Sequence, residues 1–218
     1  MKCFSRAAVC NLLQICIGCI LLSQPVLAQT KANRDRIEVA GTYQAVLQHN
    51  MVEKPYLMIG AESSFWLPGG AALEIAGQLP NGWAAVGRAY GGRAPNNRSG
   101  GNGFNLYSFG FGPRYRFTPL HSRKLSIFTD VLFGEAGGWN GNFGPVTYST
   151  PNSGPEYPSS AHSFGMTAGG GLDLTLARHI ALRPLQVNYL LTRFPNSMGS
   201  SQQNLQLGAG VVLRVGKR

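Results

Sequence analysis

The sequence predicts an all-β fold, an eight-stranded antiparallel up-and-down transmembrane β-barrel. Eight segments alternate apolar and polar residues with the period of two that is typical of strands. Short turns and long polar loops alternate between these segments, which is typical of membrane barrels and is not required of a soluble sandwich. Charged residues make up 13% of the chain, about half the usual share for a soluble domain.

The first 28 residues are predicted to be a cleaved secretory signal peptide. Lys2 and Arg6 precede an apolar stretch, and Ala28 is the small residue at the expected cleavage site. The predicted domains are therefore a signal peptide over residues 1–28 and a β-barrel over residues 29–218. All four cysteines lie in the signal peptide, so no disulfide or thiolate chemistry is expected in the barrel.

The first four predicted strands combine an aliphatic face with a polar one. They lie near residues 37–47, 71–79, 83–92 and 104–117. Glu38 marks the polar face of the first strand, and Glu74 marks that of the second. The stretch PNG after the second strand predicts a tight hairpin, because Asn-Gly tolerates positive φ angles. The third strand is the least regular, and Arg88 is the only residue that indicates its polar face.

The last four predicted strands lie near residues 125–136, 163–176, 180–194 and 204–215. Asp130 and Asp173 mark the polar faces of the fifth and sixth strands. The seventh strand changes phase at Arg183 and Pro184, which predicts a β-bulge, since proline has no N–H to donate. The eighth strand alternates most regularly, with Arg214 on its polar face.

The fourth strand, FNLYSFGFGPRYRF, indicates which face of the barrel meets lipid. Its odd positions from residue 107 onward are aromatic or proline, whereas Arg114 and Arg116 occupy even positions. An eight-stranded barrel is only just wide enough inside for side chains, so the face with the larger residues is expected to point outward. The predicted lipid-facing aromatics are Tyr107, Phe109, Phe111, Tyr115 and Phe117.

The opposite face is predicted to form a polar network inside the barrel. An unpaired buried guanidinium is costly, so the arginines are expected to pair with lumenal carboxylates such as Asp130, Glu38 or Glu74. A lumen packed in this way is not an open diffusion pore. The predicted network comprises Glu38, Glu74, Arg114, Arg116, Asp130, Asp173, Arg183 and Arg214.

The strands also resemble those of a known family. The segments RPLQVNYLLTRF and NLQLGAGVVLRVGKR are similar to the last two strands of small outer-membrane β-barrel proteins of the outer membrane protein A type, a porin-like family. FGFGPRYRF and VLFGEAGG resemble its middle strands. The resemblance implies a cell outer-membrane location and assembly by the general barrel-insertion machinery, and it implies no chemical site.

No catalytic, cofactor-binding or metal-binding residue is predicted. The four histidines, His49, His121, His162 and His179, are expected in loops or turns without metal-ligand spacing. His162 and its neighbour Ser163 point to opposite faces of a strand, which excludes a direct catalytic pair. Glu135 interrupts the apolar face of the fifth strand, and three interpretations stay open: a rim residue, a bulge, or one carboxylate of a surface site.

The expected function is structural or mediated by loops, without catalysis. Without Lys2 and Arg6, 17 basic residues remain against 9 acidic ones, a net charge of +8. Outer-membrane lipid and lipopolysaccharide are the expected partners, and nucleic acid is not, because the aromatic face is assigned to lipid. The alternatives are a narrow channel for small solutes, a lipid-modifying enzyme and a soluble ligand-binding barrel. The expected loops lie near residues 48–62, 92–103, 140–161 and 195–203, and the sequence identifies no ligand for them.

Overall fold

The computed structural model describes six stretches of the chain, and each of them belongs to one β-barrel. These stretches are residues 37–49, 64–94, 104–119, 124–139, 160–194 and 201–216. The predicted signal peptide and most of the four long loops lie outside the described residues, as does His121.

Eight strands account for nearly all of the described residues. They are β1 (Ile37–His49), β2 (Ser64–Gln78), β3 (Trp83–Ala94), β4 (Phe104–Phe117), β5 (Leu125–Trp139), β6 (Ser160–Ala177), β7 (Ile180–Thr192) and β8 (Gln202–Val215). Several strands are longer than the sequence predicts. The strand residues next to the long loops do not alternate regularly between apolar and polar, so the period-two pattern does not reveal them. No helix in the described part of the chain is long and apolar enough to span a membrane.

The strands form a closed antiparallel barrel in sequence order. Each strand pairs with the next, and β1 pairs with β8 through Ile37 opposite Val215 and Leu47 opposite Leu205. The predicted all-β, eight-stranded up-and-down fold is therefore confirmed. The three short connections lie at one end of the barrel, which we call the turn end. The long connections lie at the other end, which we call the loop end.

Two local predictions are also confirmed. Pro80–Gly82 forms the tight turn between β2 and β3, and Asn81 and Gly82 adopt φ angles of 61° and 82°. The β7–β8 register shifts between Arg183 and Gln186, where the sequence predicts a bulge at Pro184. A further register shift pairs Gln44 and Val46 of β1 with Gly70 and Leu67 of β2, so the extra residue lies on β2, where Pro68 is a comparable signal.

The barrel has the opposite polarity to a soluble protein. Large apolar side chains are exposed on its outer surface, for example Ile75 at 54% and Phe111 at 65%. Charged side chains are enclosed, and Glu74 and Arg183 are exposed by only 1% and 0%. A barrel with apolar side chains on its outer surface and charges buried inside is stable only when lipid surrounds it.

Candidate functional site: a lumenal charge network

Glu74 of β2 is the centre of a network of charged side chains inside the turn-end half of the barrel. Its carboxylate accepts hydrogen bonds from Arg88 Nε at 2.8 Å, Arg114 Nη2 at 2.7 Å and Arg183 Nη1 at 2.7 Å. Gln186 Nε2 donates a fourth bond at 2.6 Å. One carboxylate thus connects β2 with β3, β4 and β7.

Two aspartates extend the network on the β5–β6 side of the lumen. Asp130 Oδ2 accepts from Arg88 Nη2 and from Arg114 Nε, each at 3.0 Å. Asp173 Oδ1 accepts from Arg183 Nε at 2.7 Å, and its Oδ2 accepts from Arg116 Nη2 at 3.0 Å. Both carboxylates are buried, at 2% and 0% exposure.

Glu38 of β1 completes the network at the turn end. Arg116 donates to both of its carboxylate oxygens, and the Nη2–Oε2 distance is 2.6 Å. Arg214 Nε donates to Glu38 Oε1 at 3.0 Å, and Arg214 Nη1 donates to Thr175 Oγ1 at 2.9 Å. Every one of the eight strands therefore contributes at least one charged residue to the network.

An aromatic ring contacts two of the buried arginines. The guanidinium carbons of Arg114 and Arg183 lie 4.1 and 4.3 Å from the centroid of the Phe128 ring. The absence of a side chain at Gly171 makes room for this ring, because a Cβ there would lie 2.8 Å from Phe128 Cζ. Cation–π contacts between these guanidinium groups and the ring add to the ion pairs.

The eight residues predicted for the network all lie in it. Arg88 is its ninth charged member, and the predicted phase of β3 rests on this residue alone. Since the network holds five arginines against four carboxylates, almost all of its charge is compensated internally. Removing one partner of a buried pair costs about 3–5 kcal/mol, so each member is strongly constrained by the others.

The loop-end half of the lumen differs from the prediction of a polar interior. It holds a buried apolar cluster in which Val46, Leu67, Leu106, Leu190 and Phe194 are exposed by 1% or less. These apolar residues stand at inward-facing positions of their strands near the long loops, where the pattern predicts polar residues. The period-two pattern therefore does not assign them clearly to either face. Buried amides, including Asn188 and Gln206, lie between this cluster and the charge network.

The five predicted lipid-facing aromatics lie on the outer surface. Phe109, Phe111 and Phe117 are exposed by 56%, 65% and 45%, and Tyr107 and Tyr115 are partly exposed. Tyr115 packs against Trp83 near the turn end, with ring centroids 5.2 Å apart.

Glu135 and His162 also lie on the outer surface. The expectation that His162 lies in a loop or turn is wrong, because it is the third residue of β6. Its Nδ1 lies 3.1 Å from Glu135 Oε1. The Ser163 Oγ donates to the Phe164 carbonyl and accepts a hydrogen bond from the Arg193 backbone N–H. Within the described residues, no group of three or more His, Asp or Glu side chains is placed to bind a metal ion.

Comparison with known proteins supports the fold. No protein-family model matches the sequence, and no curated protein sequence matches it. The structure of neisserial surface protein A superposes with a TM-score of 0.56 at 12% identity, covering 82% of this chain and 96% of that one. Ail from Yersinia pestis covers 82% and 99% of the two chains at 14% identity, with a TM-score of 0.45. OprG from Pseudomonas aeruginosa covers 83% and 96% at 9% identity, with a TM-score of 0.47.

The fold and the polarity of the outer surface both indicate a membrane-spanning barrel. Neisserial surface protein A shares the barrel at a TM-score above 0.5. A closed antiparallel barrel with an apolar exterior is the form in which strands cross bacterial outer membranes. By its fold and its inverted polarity, the chain is an eight-stranded transmembrane β-barrel with the fold of neisserial surface protein A.

Proposed function

We propose that the protein is a non-catalytic component of the outer membrane, with a closed lumen and a structural or loop-mediated role. The observation that carries this proposal is the charge network, in which Glu74, Asp130, Asp173 and Glu38 join all eight strands across the lumen. A network of this kind occupies the volume that a diffusion pore would need, and the loss of any one partner is costly.

The outer surface supports membrane insertion. Near the turn end, Trp83 and Tyr115 form an aromatic pair. Near the loop end, Tyr107 and Trp139 form another, with ring centroids 5.8 Å apart. Aromatic residues at both membrane interfaces are typical of outer-membrane barrels, and apolar side chains such as Phe111 lie between the two pairs. Short turns on the periplasmic side and long loops outside follow from the same architecture.

The proposed partners are those of this protein class. Outer-membrane lipid and lipopolysaccharide surround the barrel, and the general barrel-assembly machinery inserts it. The long loops are the surfaces available to an external ligand. A lipid-modifying activity is less well supported, because the Ser163 hydroxyl bonds the Phe164 carbonyl and the Arg193 backbone N–H rather than the His162 ring.

Fractionation and conductance test the proposal on one preparation. The protein is expected in the washed outer-membrane fraction, and it is expected to migrate faster on a gel when unheated than when boiled. It is expected to give no stepwise conductance in a planar bilayer. Stable conductance from the heat-shifted protein would support the narrow-channel alternative instead. Altered lipid A on expression would support an enzyme, and a soluble protein without a heat shift would support a ligand-binding barrel.

A further inference from the structure

The exposed charges of the barrel are divided unevenly between its two ends. Of the carboxylate side chains in the described residues, all but one belong to the lumenal charge network, and the other, Glu135, lies near the loop end. At the turn end, by contrast, Lys124 and Arg178 are both exposed. The exposed charges that the structure describes at the turn end are therefore basic.

The sequence extends this asymmetry to the segments between the strands. Five segments adjoin the strands at the turn end, namely residues 31–36, 79–82, 118–124, 178–179 and 216–218. Together they contain eight Lys or Arg residues and one Asp. The four loop-end connections contain three basic and three acidic residues, and they comprise residues 50–63, 95–103, 140–159 and 193–201. The turn-end segments thus account for most of the net charge of +8.

The two exposed basic residues lie at neighbouring strand ends. The Lys124 carbonyl oxygen accepts a hydrogen bond from the Thr175 N–H at 2.8 Å, which joins the start of β5 to the end of β6. Arg178 and His179 form the turn from β6 to β7. The His179 carbonyl oxygen accepts from the Arg214 N–H at 2.9 Å, so this turn is anchored on β8. We call Lys124 and Arg178 the basic rim.

The charge of the basic rim is not neutralised within the described part of the chain. Glu38 and Asp173 are the carboxylates on the turn-end side of the lumen, and they are buried and bonded to arginines of the charge network. No described carboxylate forms an ion pair with Lys124 or Arg178. The rim therefore offers its charge to an anion outside the barrel.

Apolar side chains of the outer surface lie next to the basic rim. Leu176, two residues before Arg178, is 68% exposed, and Ile180, two residues after it, is also exposed. Leu213 of β8 pairs with Ile180 and extends the same apolar surface. In a bilayer these side chains contact acyl chains, which places the rim at the level of the lipid headgroups. Lys and Arg suit this level, because their apolar stems lie along the barrel while their charges reach the polar layer.

The β2–β4 side of the turn end has a different character. Trp83 and Phe117 are exposed there, and the β2–β3 connection, residues 79–82, contains no charged residue. Aromatic residues are typical of membrane interfaces in general and do not select the charge of a headgroup. Charge recognition at this end is therefore confined to the side formed by β5, β6 and β7.

We propose that the basic rim binds an anionic phospholipid of the periplasmic leaflet, with its phosphate at Lys124 and Arg178 and its acyl chains along Leu176 and Ile180. The proposal rests on the proposed function, because short turns face the periplasm only if the barrel lies in an outer membrane. The periplasmic leaflet consists of phospholipids, so an acidic headgroup such as that of phosphatidylglycerol is present at this depth. The attraction of basic residues to such lipids is electrostatic and decreases with salt.

Headgroup competition tests the basic rim. The protein is refolded in detergent with equal amounts of phosphatidylglycerol and zwitterionic phosphatidylcholine, and the retained lipids are counted by native mass spectrometry. The wild type is expected to retain phosphatidylglycerol preferentially. Arg178→Gln and Lys124→Gln are each expected to lower this preference about fivefold, the effect typical of one basic residue at an anionic surface. Arg178→Lys keeps the charge and is expected to keep the preference.

A matched variant at the other end of the barrel separates the rim from net charge. Arg193→Gln also removes one exposed arginine, but near the loop end, and is expected to leave the preference unchanged. A loss in Arg193→Gln equal to that in Arg178→Gln would overturn the proposal, as would equal retention of both lipids by the wild type. Sedimentation with purified peptidoglycan without any headgroup preference would assign the rim to the cell wall and overturn the lipid site.

The heat-dependent gel shift keeps this proposal distinct from the proposed function. Each variant is expected to show the wild-type shift, because Lys124 and Arg178 lie outside the charge network. A heat-shifted protein without headgroup preference contradicts only the lipid site.

Discussion

Glu74 and Arg183 form a buried ion pair across the lumen, with 2.7 Å between Glu74 Oε2 and Arg183 Nη1, although 109 positions separate them in the sequence. Neither residue is exposed by more than 1%. The pair connects β2 with β7 across the barrel interior. Its geometry therefore depends on correct closure of the whole sheet.

Truncation of Glu74 tests the energetic importance of this network. Glu74→Ala leaves Arg88, Arg114 and Arg183 each without one carboxylate partner, so the free energy of unfolding is expected to fall by about 3–5 kcal/mol. Urea unfolding of the protein in lipid vesicles measures the change. Gly87→Ala, where an added Cβ meets no heavy atom within 4 Å, is the control and is expected to change stability by less than about 1 kcal/mol. Equal effects of the two substitutions would refute the lumenal role.

The crowding around Phe128 gives a second prediction. A methyl group at Gly171 would meet Phe128 Cζ at 2.8 Å and the Leu185 carbonyl oxygen at 2.7 Å, so Gly171→Ala is expected to destabilise the barrel by about 1–3 kcal/mol. Gly87→Ala is the matched control, because a Cβ there has no heavy atom within 4 Å. The same unfolding assay compares them, and a Gly171 variant as stable as the Gly87 variant would contradict the described packing.

Charge placed on the outer surface tests which solvent that surface meets. Phe111 lies between the two aromatic pairs and is 65% exposed, whereas Phe117 lies at the end of β4. Phe111→Arg is expected to cost about 2–4 kcal/mol, and Phe117→Arg about 0–1 kcal/mol, because the cost of a cation depends on its depth in the bilayer. Two variants with equal stability in vesicles would argue against a bilayer around this strand.

The β2–β3 turn gives a fourth prediction. Asn81 is the one described residue other than glycine with a positive φ, at 61°. Asn81→Ala is expected to destabilise the protein by about 1 kcal/mol, because a Cβ without a local polar partner is disfavoured there. Asn81→Gly is expected to be tolerated. A stabilising alanine variant in the unfolding assay would show that the turn adopts another conformation.

Strand order and polarity could be predicted from the sequence because both are properties of local patterns. The period of two separates Glu74 from Ile75, and the Asn81-Gly82 turn and the Pro184 bulge depend only on residues next to each other. Closure of the barrel then follows from the even strand count and the alternating connections.

Contacts across the lumen and between strands could not be predicted in the same way. The sequence shows that Arg183 needs a carboxylate, but the choice of Glu74 and Asp173 depends on barrel diameter and register. The apolar cluster at the loop end was missed because Leu67 and Phe194 lie where strands merge into loops. The sequence left open that Glu135 belongs to a surface site, but its contact with His162 could not be predicted, because that contact depends on the pairing of Gly137 with both Tyr107 and His162.

The central claim is that the apolar face of the barrel meets lipid, and a spin label at position 111 tests it most directly. All cysteines of the chain lie in the predicted signal peptide, so Phe111→Cys gives a single labelling site in the mature barrel. In vesicles, the label is expected to collide with oxygen dissolved in the bilayer and to be shielded from a water-soluble nickel complex. A label accessible to the nickel complex, or shielded from both reagents, would show that this face meets water or a protein core.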